Sequence, residues 1–354
     1  MQKYIVMKLS FVIPVYNRPD EVKELLQSLV EQESAECRVQ GVGLFNVFVV
    51  EDGSTVPCED VCKEFEDKLE LHYFVKKNSG PGPSRNYGVE RADGDFVIIL
   101  DSDVVLPRTY IKNVLKGLEE DPECDAFGGA DKAADDFTMV QKAISYSMTS
   151  FFTTGGIRGG KKKLDKFYPR SYNMGVRREA YLKIGGFSEM RYGEDIDFSY
   201  RLIEAGYQTR LFPEAWVWHK RRTDFDQFFR QVRHSGEARI DLTRRHPGTL
   251  KLVHLLPMVF TLGVVALVVL ALVLRFMGSS WWMWALLPIV VYCLLIFIDS
   301  SRQNKSMQIG ILSVEAAFVQ LFGYGIGFLR AVVERSSKSG VRSEAPLAQL
   351  GVRS

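Results

Sequence analysis

Phe96-Val97-Ile98-Ile99-Leu100-Asp101-Ser102-Asp103 is the stretch on which the reading of this chain turns. Its uninterrupted apolar run describes a strand buried on both faces, the kind found in parallel sheets. The D-x-D that follows places two carboxylates at the carboxyl end of that strand. In open α/β sheets this rim is where ligands bind. Residues i and i+2 of extended backbone project to the same side. Asp101 and Asp103 can therefore share one hard divalent cation, which prefers oxygen ligands and keeps sites for substrate phosphates. Asp and Ser also favour strand-end turns, so the pair alone leaves a cation site and a turn both open.

Working outward, Leu9 to Val15 reads as another buried strand, ending at Asn17-Arg18-Pro19. A helix follows, with Val22, Leu25, Leu26, Leu29 and Val30 at amphipathic spacing. Val47 to Val50 is a third buried strand, closing on Glu51-Asp52-Gly53-Ser54. The stretch Ser79-Gly80-Pro81-Gly82-Pro83 leads into a short helix around Arg85 to Ala92, just before the D-x-D strand. Strands alternating with helices over short connections predict an α/β domain with a mostly parallel sheet.

The rest of the chain has a different character. Hydrophobic residues make up 46% and charged residues 25% of the 354. These are ordinary globular values, but no charge occurs from Leu255 to Leu274 or from Trp281 to Ile298. As helices these runs would be roughly 27–30 Å long, about the hydrocarbon thickness of a bilayer. With Trp281, Trp282 and Trp284 between them, they read as a membrane hairpin. Arg221, Arg222, Arg230, Arg233, Arg239, Arg244, Arg245 and Lys251 lead into the first span. By the positive-inside rule they place the preceding domain in the cytoplasm, at the cell (inner) membrane, with anionic membrane lipids as neighbours. That setting argues against nucleic acid as the partner of the basic run. Ile309 to Val333 is apolar but carries Glu315, Gln320 and several glycines. It reads as an interfacial or re-entrant segment more readily than as a third span. The expected division is a domain over 1–235, a basic linker over 236–254, the hairpin over 255–298, and this segment with a basic tail over 299–354. Gly155 to Lys163 forms a basic loop, open to reading as a solvated loop, a lid or a lipid contact. The five cysteines show no zinc spacing and receive no role.

Four clusters occur in order: Ser10-Phe11-Val12-Ile13-Pro14-Val15-Tyr16-Asn17, Val49-Val50-Glu51-Asp52-Gly53-Ser54-Thr55, Arg85-Asn86-Tyr87-Gly88 ahead of Asp101-Ser102-Asp103, and Gly193-Glu194-Asp195-Ile196-Asp197. Over roughly residues 8–235 the sequence resembles the inverting family 2 glycosyltransferases. The resemblance implies a Rossmann-like GT-A domain that binds a nucleotide-diphospho-sugar, here a UDP- or GDP-sugar. It implies that Pro14, Tyr16 and Asn17 line the base and ribose, and that Asp52 accepts from the base N–H. It also implies that Arg85 and Asn86 approach the phosphates. Turn chemistry at Asn17 and Asp52, and an ion pair at Arg85, stand beside these roles. Asp101 and Asp103 would hold Mg²⁺ or Mn²⁺, with His219 either a further ligand or a packed structural residue. Asp195 would be the general base, supported by Glu194. Asp197 and Arg201, spaced i,i+4, read instead as a helix ion pair.

One departure stands out. Processive synthases related to this family carry Q/R-x-x-R-W, whereas this chain reads Arg230-Gln231-Val232-Arg233-His234. Arg230 and Arg233 could still grip the diphosphate, but processive synthesis is put in doubt. The expected activity is a hexosyltransferase-type, inverting transfer of one sugar to a lipid-linked or cell-envelope glycan acceptor. A polyprenyl-phosphate sugar synthase and a non-catalytic membrane scaffold remain as alternatives.

Overall fold

A computed structural model describes residues 7–32, 45–132, 137–154, 167–220 and 223–342, with side chains up to 334. The basic loop at 155–163, Arg221, Arg222 and the side chains of the basic tail lie outside the described residues. The chain divides into two compact units, Met1–Phe137 with Lys161–Arg221, and Thr138–Gly160 with Arg222–Ser354.

The first unit is built on β1 (Leu9–Val15), α1 (Pro19–Val30), β2 (Phe45–Asp52), α2 (Glu59–Lys63), β3 (Leu71–Lys76), α3 (Pro81–Arg91), β4 (Phe96–Leu100), β5 (Val104–Val105), α4 (Tyr110–Glu120) and β6 (Ala126–Lys132). After α5 (Met139–Thr149) and α6 (Phe151–Thr154), which belong to the second unit, it continues with β7 (Asn173–Arg177), α7 (Arg178–Lys183), α8 (Glu194–Glu204) and β8 (Thr209–His219). The eight strands form one sheet in the order β3-β2-β1-β4-β7-β6-β8-β5. The half from β3 to β4 is parallel, whereas β7 runs antiparallel to both β4 and β6.

Alternation along β1 explains why both faces are covered. Leu9, Phe11, Ile13 and Val15 meet Val22, Leu25, Leu26 and Leu29 of α1 on one side. Val12 joins Val89 and Phe198 on the other. Each such apolar side chain, when fully buried, contributes about 1.5–3 kcal/mol. Because β2 lies on one side of β1 and β4 on the other, the strand order reverses at the β1/β4 seam. The crevice at the carboxyl ends of those strands is the ligand position expected for an open sheet. Helix α3 starts earlier than the sequence suggests, at Pro81. Gly80 caps it at φ 93°, and proline is well suited to the first helical turn.

The second unit contains α5, α6, α9 (Phe225–Arg245), α10 (Leu256–Phe276), α11 (Trp282–Asn304) and α12 (Met307–Arg342). Its extent differs from the division read in the sequence. Helices α5 and α9 fall in it because they pack on its other helices; the Tyr146 hydroxyl, for example, donates to Asp299 Oδ2 at 2.6 Å. Among the described residues, three stretches are long and apolar enough to cross a membrane: α10, α11 and Met307–Glu334 of α12, with mean hydropathies of 2.8, 2.1 and 1.6. Helices α10 and α11 expose leucines and valines along their length, a surface suited to lipid.

Helix α12 meets one end of that hairpin. Ser313 Oγ lies 2.6 Å from Ser300 Oγ, and Phe318 contacts the rings of Phe260 and Tyr292. A Cβ on Gly325 would stand 2.6 Å from Pro257 O, and one on Gly327 2.0 Å from Arg233 O of α9. Only glycine permits these approaches.

Candidate active site

The D-x-D leaves β4 and turns at once into β5, whose Val104 pairs with His219 at the end of β8. That two-residue pairing brings His219 beside Asp103, 116 positions earlier in the sequence. One donor atom each from Asp101, Asp103 and His219 lies within 4.8 Å of the others. His219 Nε2 is 3.3 Å from Asp103 Oδ1, and its ring stacks on Tyr172 at a centroid distance of 5.0 Å. Arg18 donates to the other oxygen of Asp103, Oδ2. Burial opposes ionisation of Asp103, but His219 and Arg18 outweigh it and hold its pKa well below the usual carboxylate range.

These residues fit a divalent cation. Asp103 Oδ1 and His219 Nδ1 are buried without a hydrogen-bond partner. Two carboxylates and an imidazole form a donor set suited to a cation that accepts oxygen and nitrogen. A buried charged oxygen whose one neighbour is an imidazole nitrogen outside hydrogen-bond geometry is costly, and a cation held between the two would satisfy it.

Arg85 links this cluster to the acids of α8. Its Nη2 donates to Asp101 Oδ1 at 2.8 Å and its Nη1 to Glu194 Oε1 at 2.9 Å. Its side chain is only 4% exposed, so it is a buried bridge and not a surface ion pair. Burial and the neighbouring Asp195 charge raise the pKa of Glu194 despite Arg85. Asp195 begins the same helix. Its Oδ1 accepts from the Ile196 amide at 2.9 Å and its Oδ2 from Arg170 Nη1 at 3.2 Å. Gly193, at φ 77°, supplies the left-handed turn that starts α8 and presents both acids. Asp197 accepts from Arg201 at 2.9 Å, and Arg201 also donates to the carbonyls of Ile184 and Gly186. That pair anchors a turn.

The residues expected at the nucleotide are largely engaged in shaping loops. Pro14 is buried within β1 opposite Val50, and Tyr16 is exposed. Asn17 takes φ 54°, and its Oδ1 accepts from the amides of Thr55 at 2.7 Å and Val56 at 3.0 Å. Asp52 accepts from Lys76 Nζ at 2.5 Å and from the amides of Ser79 and Gly80 at 2.9 and 2.8 Å. Three of its roughly four acceptor positions are filled. Asn86 accepts from Tyr181 Oη and the Phe187 amide and donates to the Phe187 carbonyl, which fixes the Gly185-Gly186-Phe187 turn. Arg230 and Arg233 lie on α9 in the second unit, where Arg233 Nε is 3.6 Å from Glu237. Sequence reasoning did not anticipate Arg18, Lys76, Arg170 or Tyr172. The one available signal was that Arg18 lies in the turn just after β1, the strand beside β4.

Residues 10–185 match Glycosyl transferase family 2, a span containing both the D-x-D and the strands that present it. The chain belongs to that family. This family 2 glycosyltransferase is 25% identical over 231 residues to the probable glycosyltransferase YdaM of Bacillus subtilis, covering 63% of this chain and 53% of that protein. It is 29% identical over 258 residues to the pre-mycofactocin glycosyltransferase of Mycobacterium tuberculosis, covering 68% and 48% respectively. The chain thus spans about half the length of the curated relatives it matches. Among solved structures, its fold is similar to the mannosyltransferase PcManGT from Pyrobaculum calidifontis in complex with GDP-Man and Mn²⁺. The TM-score is 0.61 at 17% identity, covering 88% of this chain and 87% of the other.

Proposed function

We propose that this family 2 glycosyltransferase is metal-dependent and inverting. In this reading it moves one sugar from a UDP- or GDP-sugar to a lipid-linked or cell-envelope glycan acceptor at the inner membrane, with its first unit cytoplasmic. The observation that carries this reading is that buried Arg85 pairs both with Asp101, of the Asp101/Asp103/His219 cluster, and with Glu194, the sequence neighbour of Asp195. That bridge ties the residues that would hold a cation to the helix start carrying the candidate base, all within the first unit.

Asp101, Asp103 and His219 would hold the cation. Bound there, Mg²⁺ or Mn²⁺ supplies Lewis-acid neutralisation of the charge that grows on the departing nucleoside diphosphate. The remaining work falls to the chain's own groups. Asp195 takes the proton of the acceptor hydroxyl as that oxygen bonds to the anomeric carbon. The bond from that carbon to the diphosphate oxygen breaks, and its electron pair leaves with the nucleoside diphosphate. Attack on the face opposite the leaving group inverts the anomeric centre. Arg170 holds the Asp195 carboxylate in place from Oδ2, while the helix amide holds Oδ1. Glu194 keeps Arg85 in register between the two acid pairs. The apolar helices support a membrane-borne acceptor, because tethering enzyme and acceptor to one surface raises their effective concentration.

A panel of UDP- and GDP-sugars offered to detergent-solubilised protein tests this reading. One donor should be turned over, EDTA should stop the turnover, and Asp103→Asn should reduce it by about 10²-fold or more. NMR should find the product anomer inverted. Undiminished turnover in EDTA, or a retained anomer, would refute the corresponding part.

A further inference from the structure

We infer that Arg18 is an internal counter-ion that stands in for the divalent cation at Asp103, so that cation and donor bind cooperatively by displacing it. The inference rests on the metal-dependent reading above. Each acid of the D-x-D has its own guanidinium: Arg85 on Asp101 and Arg18 on Asp103. The two arginines are not equivalent. Arg85 is held by two carboxylates and its side chain is 4% exposed, so it is a fixture of the core. Arg18 has a single carboxylate partner, its side chain is 31% exposed, and it sits at the non-helical cap position preceding α1.

Arg18 therefore can leave, and a cation gives it reason to. Asp103 Oδ2 is occupied by Arg18, while Oδ1 makes no well-formed hydrogen bond and faces the His219 ring, whose Nε2 is 3.3 Å away. A divalent ion ligated by Asp103 would face a full positive charge bound to the same carboxylate, a repulsion that a low local dielectric strengthens. Without an anion to receive it, a displaced Arg18 gains only solvent. A diphosphate changes this, because a guanidinium's planar donors match phosphate oxygens in pairs. The cation alone thus competes with Arg18, whereas cation and diphosphate together satisfy every charge. Linkage makes the coupling reciprocal: each ligand strengthens the other by the same factor.

Mn²⁺ binding to the full-length, detergent-solubilised protein, followed by EPR or calorimetry, tests this without turnover. Titrations use Mn²⁺ alone, then Mn²⁺ with UDP or with GDP. The wild type should bind Mn²⁺ weakly alone and about 5- to 150-fold more tightly with the nucleotide it recognises. Arg18→Gln should bind Mn²⁺ alone about 5-fold or more tightly than the wild type, and most of the nucleotide-dependent gain should vanish. Arg18→Lys keeps the charge and should behave towards Mn²⁺ alone like the wild type. Unchanged or weaker binding of Mn²⁺ alone by Arg18→Gln, with Asp103→Asn still abolishing it, would overturn the exchange and leave the metal site standing. If Asp103→Asn binds Mn²⁺ like the wild type, the metal reading itself fails.

Discussion

Asp195 separates the two acceptor classes. A neutral sugar hydroxyl is a poor nucleophile near neutral pH, and general-base assistance is commonly worth about 10²–10⁴-fold. Asp195→Asn should then lower kcat by that factor with donor affinity kept, since the lost interaction acts in the transition state. A lipid phosphate is already anionic and has no proton to give up. Single-turnover transfer reduced by less than about tenfold, with donor binding intact, would favour the polyprenyl-phosphate reading. The acids themselves were legible in the sequence, because a carboxylate pair after an apolar run and another at a helix start each have a local signature. Their partners were not. Arg18 reaches an acid 85 positions away and Arg170 one 25 positions away. Nothing local to either arginine records its partner; strand order decides it.

Loops carry most of what the sequence left open. The Asp52 carboxylate ties the end of β2 to the turn before α3. Its folded pKa is lowered: burial raises it, but hydrogen bonds from Lys76 and from the Ser79 and Gly80 amides outweigh burial. A lowered folded pKa means stability that is present above the unfolded value, near 3.9, and is lost as pH falls through the folded value. Asp52→Asn should therefore lower the melting temperature at pH 7 and flatten its decline below about pH 4, measured against the wild type. Asn86 is a second case. It was expected near phosphate, yet all three of its hydrogen bonds hold the Phe187 turn and the Tyr181 hydroxyl. Asn86→Ala should cost about 1–3 kcal/mol of stability by stranding those groups. Nucleotide affinity measured well below the melting point should barely change. A large affinity loss with normal stability would support the phosphate role instead. Strands β1, β2 and β4 were readable because burial on both faces leaves an unbroken apolar run. The antiparallel β7, containing Asn173-Met174-Gly175, had no such run and gave no sign of its pairing.

At the scale of the whole molecule, the question is how many times the chain crosses the bilayer. Length and composition allow α12 to cross. Its neighbours argue otherwise, because Pro257, Phe260 and Thr261 open α10, while Phe297, Ser300 and Ser301 lie in the closing half of α11 and Tyr292 at its middle. Those are the same end of an antiparallel hairpin. Along its later turns α12 meets α9, whose arginines and acids do not belong in hydrocarbon. We therefore propose that α12 lies across the base of the hairpin. Reporter fusions at Lys251 and Ser354 should both read cytoplasmic; a periplasmic reading at Ser354 would make α12 a third span. A helix of this length lying across one end of a hairpin occupies area in one leaflet and almost none in the other. Lateral pressure in that leaflet would then act on α12 directly. Through Gly325 and Gly327 it reaches the first turn of α10 and the middle of α9. In that placement, the crowding of lipids in a single monolayer would be a mechanical input to this half of the protein.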